Sequence, residues 1–214
     1  MKGTLLWMGA VLMLAVGMNS CSDDEKEYAG YDPNFNVRYF DQNPDQDKRQ
    51  GYWFNDKFIE LIPQKEPPYY LMVKWDSDLG ERALNYIANK NDGVVQKRHD
   101  PGEKNMAIIL CNKYISCPYL YISSSYTTTN VNEFIGINCK IVLKMKEGKS
   151  VEPIAEKYVH TLMLYTGEEK LKGLEIFDCI LNTSYEVLQL AEEINQRDDV
   201  EWAEPDMYLP IHTF

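Results

Sequence analysis

The sequence reads as an α+β fold, and three observations predict it. Apolar residues alternate with polar ones in several runs, as at Cys139, Ile141, Leu143 and Met145, and a period of two belongs to strands. Two other segments repeat their apolar residues at three and four, and each opens on a capping-box pattern, Asp78 with Glu81 and Thr183 with Glu186. Across residues 131–214 the two kinds of segment follow as β-α-β-β-α-β. That order predicts a ferredoxin-like βαββαβ sandwich, an antiparallel sheet covered on one face by two helices. A β-hairpin-rich α+β subdomain is predicted before it, at residues 51–130.

Residues 1–20 read as a targeting segment. Lys2 is a minimal positive start, and Leu5 to Val16 is an apolar run too short to span a membrane, which takes about 20 residues. The run closes on Met18-Asn19-Ser20-Cys21, which resembles a bacterial lipobox and implies lipidation of Cys21 as the first mature residue. The acidic tract Ser22 to Glu27 resembles the signal that sends lipoproteins of the Bacteroides group to the outer face of the outer membrane. A periplasm-facing anchor is the alternative. Residues 21–50 read as a lipidated acidic tether. Within it Asp41, Asn43 and Asp45 have the spacing of a calcium loop, but Gln46 and Tyr52 stand where that loop needs Gly and Glu.

Ordered structure is predicted from Gly51. Tyr52-Trp53-Phe54 and Lys57 to Leu61 flank Asn55-Asp56, a two-residue hairpin turn. Tyr69 to Trp75 reads as a strand after Pro67-Pro68. A helix follows from Leu79 to about Lys90, capped by Asp78, with Leu79, Ala83, Tyr86 and Ile87 as its apolar stripe. Met106 to Cys111 and Tyr119 to Ser123 are further strands. Tyr126 to Asn132, rich in Thr and Asn, reads as an irregular or edge passage.

In the last unit Cys139 to Met145 is a half-buried strand. Ser150 caps a helix that tolerates Pro153 in its first turn and buries Val151, Ile154, Ala155, Tyr158 and Val159. Thr161 to Tyr165 and Leu174 to Leu181 are strands. The second helix opens at Thr183 and buries Val187, Leu190, Ala191 and Ile194, and Val200 to Ala203 is the final strand. Trp202 reads as a core residue.

Composition excludes several functions. The net charge is −11, and removing residues 1–20 takes away one more positive charge, Lys2. Such a chain has no basic footprint for nucleic acid and no polybasic patch for anionic lipid. The three histidines, His99, His160 and His212, lie in no catalytic context, and no nucleophile turn, phosphate loop or dinucleotide glycine pattern is present. No catalytic residue, cofactor or metal site is predicted. Cys111, Cys117, Cys139 and Cys179 allow three full pairings, or remain buried thiols; Cys139 and Cys179 fall on neighbouring strands of the predicted sheet.

The run Asn182 to Leu188, then Ala191-Glu192, then Val200-Glu201-Trp202-Ala203-Glu204-Pro205-Asp206 resembles the signature of subtilisin-like serine peptidase prodomains, especially those of Bacteroides relatives. Tyr52 to Lys57, Tyr121 to Ser123 and Glu133 to Ile137 are similar to the same family, so the resemblance covers roughly 51–208. In that family a catalytic domain follows the phrase; here the sequence ends six residues after Tyr208. The resemblance therefore implies a lipoprotein that inhibits or chaperones a subtilisin-like serine peptidase in trans. It implies contact through the sheet and through a tail laid in the substrate cleft, Met207, Tyr208, Leu209, Pro210, Ile211, His212, Thr213 and Phe214. Glu204 and Asp206 would accept bonds from helix N-termini of the partner. The alternative is a non-catalytic surface module for glycan, peptide or another lipoprotein, with Tyr69, Tyr70, Tyr114, Tyr119, Tyr121 and Tyr126 as an aromatic face, or a remnant without function.

Overall fold

The computed structural model describes residues 28–90, 94–96, 105–128, 131–164 and 173–211. The targeting segment, Cys21 and the acidic tract to Glu27 lie outside the described residues, and no helix among those described is long and apolar enough to cross a membrane.

The described residues begin with an antiparallel hairpin, β1 (Tyr28–Asp32) and β2 (Val37–Phe40). Over residues 28–50 this corrects the reading of 21–50 as a tether. Val37 is fully buried, and the Asp32 carboxylate accepts hydrogen bonds from Lys90, Tyr86 and Asn34. The partners that order this hairpin lie more than 50 residues away, so local composition does not announce them. Next come β3 (Gly51–Phe54) and β4 (Lys57–Glu60). Asn55 and Asp56 between them hold φ of 47° and 58°, the left-handed pair that a two-residue hairpin turn requires.

After β5 (Ile62–Pro63) and β6 (Tyr69–Lys74) comes α1 (Asp78–Lys90). Its cap is Ser77, whose Oγ accepts from Gly80 N at 3.2 Å, and not Asp78. Its buried stripe is Gly80, Ala83, Leu84 and Ile87, while Leu79 is 39% exposed. Gly80 is what lets α1 approach so closely: a Cβ there would stand 2.7 Å from both Trp75 Cβ and Tyr119 O. Then follow β7 (Val94–Gln96), β8 (Met106–Cys111), β9 (Tyr114–Ser116), β10 (Tyr121–Ser123) and β11 (Tyr126–Thr128).

The longest strand is β12 (Val131–Met145). The short α2 (Glu152–Lys157) has Val151 at its N-cap without a side-chain cap bond, although Ser150 Oγ still accepts from Glu152 N at 3.3 Å. Tyr158 is buried behind it, but Val159 is exposed and leaves the predicted stripe. Then come β13 (Leu162–Leu164), β14 (Glu175–Cys179), α3 (Ser184–Asn195) and β15 (Val200–Ile211). At α3 the capping box forms as predicted: Thr183 Oγ1 accepts from Glu186 N, and Glu186 Oε2 accepts from Thr183 N at 2.9 Å.

These elements make an α+β molecule with two cores. In one, α1 packs through Ala83, Leu84 and Ile87 on one face of the antiparallel sheet β10-β6-β8-β7, against Leu71, Val73, Ala107 and Ile109. The hairpin β1-β2 joins it through β9, to which β2 pairs. In the other, β12 pairs with β14 on one side and β15 on the other, with β13 beyond β14. Helices α2 and α3 supply Ile154, Val187, Leu190, Ala191 and Ile194 against Ile141, Leu143, Phe177 and Ala203. Met72, Met106 and Tyr121, on the opposite face of the first sheet, belong to this second core. The β10-β6-β8-β7 sheet is therefore a shared layer, covered on both faces.

A buried polar chain crosses between the two. Ser184 Oγ accepts from Ser124 N and bonds Tyr126 Oη at 2.7 Å; Tyr126 donates to Gln50 Oε1 at 2.8 Å; Gln50 Nε2 donates to the Asp45 carbonyl. Asn43 donates to Ser124 Oγ at 3.0 Å, where Tyr114 also bonds. Each of these groups is satisfied, as burial demands.

Candidate functional site

Register fixes what the C-terminal sheet presents. Ile141, Leu143, Phe177 and Ala203 face the helices, so Val142, Lys144, Ile176, Asp178 and Met163, with Trp202 and Glu204 opposite Lys144 and Val142, alternate onto the other face. No helix covers that face among the described residues. Met163 is 58% exposed there, and Trp202 is only half-buried, which corrects its reading as a core residue. Lys144 holds Glu201 at 2.9 Å on the same stretch.

The sequence places the end of the final strand at Ala203 and leaves the residues after it as a free tail. The structure corrects this: β15 runs on to Ile211, with Met207 opposite Ile137, Tyr208 opposite Gly136 and Ile211 opposite Phe134. Met207 and Tyr208 pack on the second core. Leu209 and Pro210 continue the strand, and His212, Thr213 and Phe214 lie outside the described residues. Pro205 does not stop the strand because it sits opposite Ile141 beside a register shift, and β15 pairs with β12 alone among the described strands. A proline is tolerated on such an edge, where its missing N–H breaks no ladder.

The two acidic residues of the phrase are placed differently. Glu204 is half-buried near Tyr52 of β3; burial first, and the charge of Asp206 second, push its carboxyl above the usual range. Asp206 accepts from Asn138 Nδ2 at 2.8 Å and so ties β15 to β12. Neither stands free as a lone surface carboxylate.

Next to the open face lies a cleft of about 520 Å³, within the size range of ligand pockets. Trp75, Tyr119 and Ile180 give it an apolar wall, and Cys139, Asp178 and Cys179 line its floor. No local signal in the sequence announces it, because it joins the loop after β6 to the end of β14, segments about 100 residues apart. The other sequence candidates are not brought together. Tyr69, Tyr114, Tyr121 and Tyr126 are buried in the cores, so the six tyrosines form no aromatic face. His160 is exposed, His99 lies outside the described residues, and no group of three metal-ligating side chains forms among those described.

Neither a scan against protein-family models nor searches of curated proteins and solved structures find a match to this chain.

Proposed function

We propose that the chain is a binding module for a subtilisin-like serine peptidase, acting as an inhibitor or folding partner, and held at the outer membrane through lipidated Cys21. The observation that carries this reading is the C-terminal unit itself. Its strand order β13-β14-β12-β15, with two helices on one face, supports the ferredoxin-like reading of this unit. Its other face is open, and the phrase that resembles the prodomain signature forms its edge strand, β15. The reading needs no catalytic residue, cofactor or metal.

The course of β15 changes how such binding works. A segment paired to β12 through Ile211 does not reach into a partner's cleft while the sheet is intact. The contact surface is instead the open face at Val142, Ile176 and Trp202.

The test is titration of the protein against a panel of subtilisin-like peptidases, alongside Val142→Glu and, separately, Ile176→Glu. Both changes leave the helix-facing core intact. Each raises the inhibition constant about tenfold or more, the loss expected of a central contact. Unchanged inhibition by both variants moves the contact off this face, and no inhibition of any peptidase overturns the reading.

A further inference from the structure

The ladder between β12 and β14 pairs Lys140 with Asp178, Ile141 with Phe177 and Val142 with Ile176. One step further along the same register sets Cys139 opposite Cys179. Residues directly opposite in an antiparallel pair have Cα atoms about 4.5–5.5 Å apart, inside the range a disulfide spans. The two residues are already in contact: the Cys139 thiol donates to the Cys179 carbonyl at 3.0 Å, and the two side chains share a hydrogen bond. Both are free and half-buried, and both line the 520 Å³ cleft, which opens them to a reagent from solution. Cys111 and Cys117 are free as well, but both are buried in the first core and neither lines this cleft.

We propose that Cys139 and Cys179 are a modification site, a dithiol that closes to a cross-strand disulfide by exchange with a small-molecule or protein disulfide entering through the cleft. The proposal does not rest on the peptidase reading. Cys139, as thiolate, attacks one sulfur of the donor disulfide; that bond breaks, and the leaving sulfur departs as a thiolate and takes up a proton. Cys179 then loses its proton and attacks the sulfur of Cys139, expelling the second donor thiolate. Two cysteine thiols lose two electrons and two protons, and the donor disulfide becomes two thiols. The order follows from the pair's asymmetry: the hydrogen bond from Cys179 holds the Cys139 thiol below its usual range, while the same contact and burial hold Cys179 above it.

The experiment uses the folded, full chain and oxidised glutathione as the probe. After incubation, free thiols are alkylated in denaturant and the protein is digested without reductant. The expected product is one linked pair of peptides, carrying Cys139 and Cys179 and lighter by two hydrogens, with Cys111 and Cys117 alkylated. The linked protein melts on the order of 10 °C higher, and a dithiol reductant reverses the shift, because the bond closes a loop of about 40 residues. Cys179→Ser stops at a glutathione adduct on Cys139. Recovery of Cys139 and Cys179 both alkylated, of a persistent glutathione adduct in the unsubstituted chain, or of a link to Cys111 or Cys117 overturns the proposal.

Discussion

Tyr126→Phe removes one oxygen from the middle of the buried polar chain and nothing from the surrounding packing. Tyr126 is 1% exposed, and its hydroxyl holds Gln50 Oε1 at 2.8 Å and Ser184 Oγ at 2.7 Å. Because Tyr126 donates to Gln50, the Ser184 hydroxyl donates to Tyr126. The substitution therefore strands a buried acceptor on Gln50 and a buried donor on Ser184. Each unsatisfied group costs about 1–3 kcal/mol, partly relieved by local relaxation, so the loss is about 2–3 kcal/mol. For a chain of this size that lowers the melting temperature by about 4–12 °C. Urea unfolding followed by tryptophan fluorescence reads the free energy, and scanning calorimetry reads the midpoint. Gln50→Leu alone and together with Tyr126→Phe closes a cycle with a coupling of about 1 kcal/mol. A Tyr126→Phe loss below about 0.5 kcal/mol, or additive effects in the cycle, would refute the claim that residues 41–50 are built into the fold.

Three further outcomes are expected. Asp32 is held well below the usual aspartate range by Lys90 first, then Tyr86 and Asn34. Its contribution is therefore complete above the ordinary aspartate pKa and fades as pH falls below it; Asp32→Asn flattens that acid limb and speeds amide exchange in β1 and β2, read by hydrogen exchange across pH 2–6. Thr183→Ala removes the cap of α3 and costs about 1 kcal/mol in urea unfolding, while a change within experimental error would mean the capping box contributes nothing. Val142→Glu and Ile176→Glu leave the melting temperature within a few degrees while weakening peptidase inhibition, because both side chains lie on the uncovered face.

Local signals announce the parts of this fold that rest on local chemistry. The capping box at Thr183, the left-handed pair Asn55-Asp56 and the alternation from Cys139 to Met145 each determine their element within a few residues, and each forms. What escapes is what distant partners decide. The β1-β2 hairpin exists because β9 pairs with β2 and because Lys90 meets Asp32. The stripe of α1 turns by one position because Gly80, not Leu79, meets Trp75 and Tyr119. At the candidate site, the phrase Val200 to Asp206 marks the right strand, but Pro205 reads as its end. Only the long edge of β12, reaching back to Val131, shows why pairing continues to Ile211. The cleft at Cys139 and Cys179 has no signal beyond the neighbouring placement of their strands.

The sheet that serves both cores also governs how the gene can change. Met72, Met106 and Tyr121 present one face to the C-terminal helices and strands, while Leu71, Val73 and Ile109 present the other to α1. A crossover near residue 130 that joins the first half of this chain to the second half of a divergent homologue would bring together two surfaces selected in different company. Such a chimaera inherits mismatched volumes along the whole seam, and Tyr121, which donates to the Ile137 carbonyl at 2.6 Å across it, would have to find the same acceptor. The two halves are thus bound to evolve together, each substitution on one side of the seam setting the terms for the other.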